Sequence, residues 1–317
     1  MKLFISILGF LSTLWSSAQC NNTWEQDDPK DKYALNERHF SPELIQQLKG
    51  KTLVFYYKKN DLEKLDQWQK CLESTWNFGK ILLAPYENSQ KYLSDSTYCH
   101  LIINNTRTDY YSTTRMQERT TSYTGSEVHY YLTLFLGKNE DKLCRIELFP
   151  DSKTLFKKLK GEESMINFLY SEGNFYNWTP TLLKSQLKVV LKNLEFKRRA
   201  CLHQRVKDPH LMNILASDTL YIPEVLMVSY NPFSGKDSKM DENVFKNFPA
   251  PYRKCTEDEL YQIFEVEKRG RFMFEFVKSS STKFVSIYDN KDDVFVYRDL
   301  TEMSYNLKKK DVQEIVR

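Results

Sequence analysis

The chain has 317 residues, and its 46 basic against 42 acidic groups leave a formal charge of +4, too even a balance to form the basic field that nucleic acid requires. Its nine glycines are widely separated, which excludes G-x-G-x-x-G and Walker-type loops, because backbone N–H groups reach a phosphate only where no Cβ intervenes. This length carries a prior of two domains.

Residues 1–18 read as a signal peptide. Lys2 supplies a minimal positive start, residues 3–14 are mostly apolar, and Ser16 and Ala18 place small residues before a cut between Ala18 and Gln19. Lipidation of Cys20 is the competing reading, weakened because Gln19 is not small. No later run approaches the ~20 apolar residues of a membrane span. The mature chain is therefore expected to be secreted or periplasmic, with no transmembrane span. Residues 19–36, with Asp27-Asp28-Pro29, form a polar, flexible lead-in.

A first α/β unit is expected over residues 37–203. Ser41 caps a helix that Pro42 opens and Gly50 ends. Residues 52–57 are a strand, and Leu62, Leu65, Trp68 and Leu72 follow near-helical spacing. Strands are expected at 80–84 and 98–103, with a short helix capped by Asn88 between them. Residues 127–136 and 144–149 read as an antiparallel pair. Thr179-Pro180 opens the clearest helix, with Leu183, Leu187, Val190, Leu191 and Leu194 on one face.

The second unit, over residues 204–317, repeats this order. Asp208-Pro209 opens a helix before a strand at 219–222, and residues 241–248 read as another helix. A strand at 252–255 precedes Thr256 and Glu259, which are spaced as a capping box. Residues 272–277 are a strand, 284–288 and 294–297 a hairpin, and 307–316 a closing helix. Pro42, Leu44, Leu48 and Thr52 recur as Pro209, Leu211, Leu215 and Thr219, always 167 positions on. The fold class expected is α/β, as two tandem copies of a small α/β sandwich. Each copy holds a mainly parallel sheet with flanking helices and an antiparallel edge hairpin. The tripeptide Ala84-Pro85-Tyr86 returns as Ala250-Pro251-Tyr252, ending a strand in one place and beginning one in the other. In element order each unit is similar, over about 100 residues, to the small α/β sandwich domains of bacterial envelope assemblies such as the N-terminal domain of the TolB family. No functional residue is carried over from that likeness.

Chemistry is sparsely marked. No G-x-S-x-G elbow or H-E-x-x-H is present, so neither cofactor nor metal is expected. Cys201, His203, His210 and Cys255 are the one set that could gather a metal. Of the six cysteines, Cys99 and Cys144 fall in strands and read as buried thiols. Asn21, Asn104 and Asn177 begin glycosylation triplets. The first unit exceeds the second by residues 106–126, rich in Thr, Ser, Tyr and Arg, and by residues 171–178. Additions to a rigid scaffold are where recognition is expected, which singles out Tyr110, Tyr111, Tyr176 and Trp178. The chain thus reads as an exported, non-enzymatic binding or scaffold protein with a protein or glycan partner in the envelope. The alternative is an extracytoplasmic hydrolase of glycan or peptide.

Overall fold

The computed structural model describes residues 42–116, 118–136, 141–157, 162–195, 205–302 and 304–316. The expected signal peptide, its cut at Ala18 and Gln19, the lead-in, and Cys20, Cys201 and His203 lie outside the described residues. The protein is of mixed α/β type, with two large sheets that each combine parallel and antiparallel strands.

The first sheet contains β1 (Thr52–Tyr57), β2 (Ile81–Pro85), β3 (Tyr98–Met116), β4 (Glu118–Leu136) and β5 (Asp141–Glu147), in the order β2-β1-β3-β4-β5. β1 runs parallel to both β2 and β3, and β4 and β5 then add antiparallel. Leu53, Val54, Phe55 and Tyr56 of β1 are wholly buried, as a central parallel strand is when both its faces are covered. Helices α1 (Pro42–Leu48), α2 (Leu65–Glu73) and α3 (Ser89–Leu93) precede β1, β2 and β3. Asn88 makes no side-chain cap to α3, which instead continues a 3-10 turn, Tyr86–Asn88. Two further helices follow β5, α4 (Ser152–Leu155) and α5 (Glu162–Ser171).

Residues 106–116 and 118–126 are strand. β3 and β4 pair from Cys99↔Leu136 out to Met116↔Glu118, with one bulge at Tyr110/Tyr111. β1 reaches only residues 98–101 of β3, and β5 only residues 131–136 of β4. Beyond those limits the ribbon is two-stranded. The side chains of Tyr110 and Tyr111 lie outside the described part.

The second sheet contains β6 (Val206–Lys207), β7 (Leu220–Pro223), β10 (Tyr252–Cys255), β11 (Phe272–Ser279), β12 (Thr282–Asp289) and β13 (Val294–Thr301). Their order is β10-β7-β11-β12-β13-β6. β7 is parallel to β10 and β11, and the other pairings are antiparallel. Neither sheet is mainly parallel, because three parallel strands in each are followed by antiparallel ones. α7 (Pro209–Leu215) starts on Asp208, whose carboxylate accepts the His210 and Leu211 N–H groups. Thr256 and Glu259 close their capping box on α8 (Glu257–Tyr261), which runs on through a π turn, Gln262–Val266. α9 (Lys309–Val316) closes the chain. A separate hairpin, β8 (Val228–Asn231) with β9 (Lys236–Lys239), stands where no element was expected, and the expected helix at 241–248 shrinks to a 3-10 turn, Glu242–Phe245. Lys236, Asp237 and Ser238 are short of the apolar alternation that announces a strand.

Between the sheets lies α6 (Pro180–Glu195). Its predicted stripe, Leu183, Leu187, Val190, Leu191 and Leu194, packs into the first core. Leu182 and Val189 face the other way, into the second. Polar residues tie the same side down: Lys184 pairs with Glu265 in a buried ion pair, Gln186 donates to Glu275, and Lys188 reaches Asp293 at 2.9 Å. Aromatic residues make up 14% of the chain, and many of them fill the interior. Trp68, Tyr56, Tyr130, Tyr131 and seven phenylalanines are among the largest fully buried side chains. Cys71, Cys99, Cys144 and Cys255 are buried free thiols.

Candidate functional site

In α/β sheets, ligands bind beyond the carboxyl ends of parallel strands, where the chain connections diverge and leave a crevice. Both sheets have such an end, and the two are treated differently.

In the first sheet the crevice is filled. Lys58 follows β1 and sends its ammonium to the Gly173 carbonyl, over the rings of Phe175 and Trp178 at 5.2 and 5.9 Å. The Trp178 indole N–H donates to both oxygens of buried Asp61, at 2.9 and 3.1 Å. Its ring stacks on Phe55 at 5.6 Å. Burial holds the Lys58 ammonium down to about 8, against the partial relief that Asp61 and Asp151 give. Residues 171–178 therefore form a plug. Gly173 is required there, because a Cβ would meet the Leu169 backbone at 2.8 Å. Asn177 is buried and spans the Phe149 N–H and the Glu147 carbonyl at 2.8 and 2.9 Å. Its amide is thus committed inside the fold and is not a glycosylation acceptor. Trp178 likewise belongs to the core and not to a recognition surface.

Tyr176, from the same segment, points to the second sheet. It lines an open cleft of about 500 Å³ at the carboxyl ends of β7 and β10. Glu224 and Val225 follow directly on β7, and Lys254 is the penultimate residue of β10. Asp237, Ser238 and Lys239 of the β8–β9 hairpin form the facing wall, and Met227, Val228 and Met240 supply apolar surface. Asp237 is fixed from the first unit, since its Oδ2 accepts the Ser152 N–H at 2.6 Å and the Tyr176 hydroxyl at 3.1 Å. Its Oδ1 is buried and has no hydrogen-bond partner. Behind it lies Lys278 of β11, wholly buried, whose ammonium also lacks a hydrogen-bond partner and sits 4.0 Å from the Tyr230 ring centroid. Burial lowers that ammonium to about 8, while Asp237 and Asp151 pull it up. Asp237 is thus balanced from behind, whereas the side chains of Glu224 and Lys254 make no hydrogen bond or ion pair among the described residues.

Tyr176, which the sequence singles out, lines this cleft, whereas nothing in the sequence reading singles out Glu224, Asp237, Lys254 or Lys278. One signal was available: Glu275 and Lys278 interrupt the apolar run of β11, Phe-Met-Phe-Glu-Phe-Val-Lys-Ser. Charges inside a buried strand need a stated reason.

A second polar cluster joins the units. Ser279 Oγ lies 3.1 Å from His129 Nδ1, and His129 Nε2 lies 3.7 Å from Glu127 Oε2. These separations resemble a serine–histidine–carboxylate arrangement. However, Ser279 is only 1% exposed, and its hydroxyl proton is directed to Glu147, which Arg145 also contacts. Ser281 donates to Glu127 beside it. A nucleophile must meet its substrate, so this arrangement acts as a strut between the ribbon base and the β11–β12 turn. His100, the neighbour of Cys99 in the chain, is buried with its Nδ1 3.1 Å from the Tyr56 hydroxyl, and burial lowers it to about 4. Among the described residues no group of three His, Cys, Asp or Glu side chains is placed to hold a metal. No helix among them is long and apolar enough to cross a membrane.

No protein-family model matches this chain, and no curated protein or solved structure shows significant similarity to it.

Proposed function

We propose that this chain is an exported, non-enzymatic binding protein, built from two copies of one α/β unit, that holds its ligand in the cleft of the second copy. The observation carrying this reading is that the two crevices differ: one is plugged by Phe175 and Trp178, and the other is open and walled by Tyr176 from the first unit. Duplication explains that asymmetry, since a spare copy can be filled and turned into support. It is supported by the shared strand order once the edge strand β6 is set aside, β10-β7-β11-β12-β13 running as β2-β1-β3-β4-β5 does. It is supported again by α1 and α7, whose bounds are 167 residues apart at both ends. Export rests on residues 1–18, and a protein or glycan of the envelope is the partner class.

The test uses the chain from Gln19, screened on peptide and glycan arrays beside Val225→Trp, which fills the cleft floor. Binding that falls at least tenfold in the variant, with its melting temperature kept, supports the reading. Binding indifferent to the indole, or no binding on either array, removes it. The hydrolase alternative has only the Ser279–His129–Glu127 spacing in its favour, against the burial of Ser279 and its bond to Glu147. Fluorophosphonate labelling that vanishes in Ser279→Ala would establish it in place of the binder.

A further inference from the structure

We infer that the cleft takes a short, unblocked peptide, gripping its amino terminus with Glu224 and its carboxyl terminus with Lys254. The inference rests on the binding reading above and adds the ligand class. Three features carry it.

Charge is the first. Parallel pairing sets Lys254 beside Ile222, two residues before Glu224, so the two strand ends bring opposite charges to one rim. Neither is used within the described fold. Asp237 is a different case, because Tyr176, the Ser152 N–H and the ammonium behind it already balance its charge. A ligand that completes the unused pair carries one positive and one negative group on a short frame, and charge-assisted bonds of this kind are the stronger hydrogen bonds. A free peptide has both groups, and a neutral glycan has neither.

Surface is the second feature. Val225, Val228, Met227 and Met240 give the cleft an aliphatic and thioether lining. Methionine adapts to side chains of varied shape, which suits a peptide whose central residue changes. Sugars are held on the open face of an aromatic ring, and among the described residues Tyr176 is the only ring in the lining. Its hydroxyl is spent on Asp237, and its ring packs edge-on against Phe149 at 4.9 Å.

Size is the third. About 500 Å³ lies within the ordinary range of small-ligand pockets, roughly 300–1,000 Å³. It exceeds a single amino acid and accommodates a few residues.

The experiment is calorimetric titration of the chain from Gln19 with tripeptides varied at the centre, each free, N-acetylated or C-amidated, and with a neutral trisaccharide. Free tripeptides are expected to bind, and each blocked form to bind at least tenfold more weakly. Glu224→Gln should then treat acetylated and free peptides alike, and Lys254→Met should treat amidated and free peptides alike. Blocked and free forms binding equally to the unaltered chain would overturn the inference, as would a set in which no tripeptide binds. Trisaccharide binding that Val225→Trp abolishes would overturn the peptide assignment yet keep the cleft. Tripeptide binding untouched by Val225→Trp would overturn both.

Discussion

Glu275 is the residue whose protonation the fold controls most directly. It lies buried on β11 facing α6, where the Gln186 amide donates to one oxygen and the other has no partner. Burial pushes the carboxyl up to about 7, with Arg298 and Gln186 opposing. Its unfolded value is that of an ordinary glutamate, near 4.3. Between these limits the folded chain holds the proton that the unfolded chain releases. The contribution of Glu275 is therefore complete below the unfolded value and is lost as pH rises through 7. Glu275→Gln should match the parent near pH 4.5 and exceed it at pH 8 by at most about 4 kcal/mol. Urea unfolding at several pH values measures the difference, and parallel curves for the two proteins would refute it. The residues legible in the sequence were those acting on near neighbours, as Asp208 on α7 and Thr256 with Glu259 on α8 do. Asp237 and Glu275 answer to Tyr176 and Gln186, 61 and 89 positions away, and Lys278 to the rings of Tyr230 and Phe149, and spacing along the chain records none of that.

Among elements, the β3–β4 ribbon tests how far a strand belongs to its sheet. Its Thr and Tyr content gives residues 106–126 strand propensity, yet no apolar face alternates along it, so the stretch read as loop. Residues 109–116 and 118–126 pair only with each other, while Glu127 and His129 at the base engage Ser281 and Ser279. Replacing residues 109–126 by Asn-Gly, which forms a tight hairpin turn, should change global unfolding free energy by less than about 1 kcal/mol, because such a segment opens locally without the core. Carrying the deletion through residue 129 should cost several times more, since the strut is lost with it. A shorter deletion that cost over 2 kcal/mol would show that the ribbon is part of the folding core. α6 gave the opposite lesson. Its apolar stripe was plain, but nothing along the chain marks Lys184, Gln186 and Lys188 as the residues that fasten it to the second unit.

At the scale of the molecule, element order was legible and docking was not, because helices and strands announce their own periodicity while an interface between units has none. α6 makes that docking thermodynamic. Leu187 is buried in the first core and Leu182 in the second, five residues apart on one rigid helix. Phe149 and Tyr176, which follow β5, also pack into the second core. If α6 cannot remain folded after losing one partner, the two units must unfold together. The chain provides its own reporter for this. Its five tryptophans are Trp15, Trp24, Trp68, Trp76 and Trp178, so every one precedes α6. Trp68, Trp76 and Trp178 lie in the first core. Leu182→Ala leaves a cavity in the second core, a class of change that costs about 2–5 kcal/mol. Coupled units predict that tryptophan fluorescence in urea shifts to lower denaturant by the same amount as far-ultraviolet circular dichroism, although the substitution lies in the other core. Independent units predict that the fluorescence transition stays at its parental midpoint while the dichroism splits into two steps. That second result would separate the cores and reduce α6 to a helix of the first unit alone.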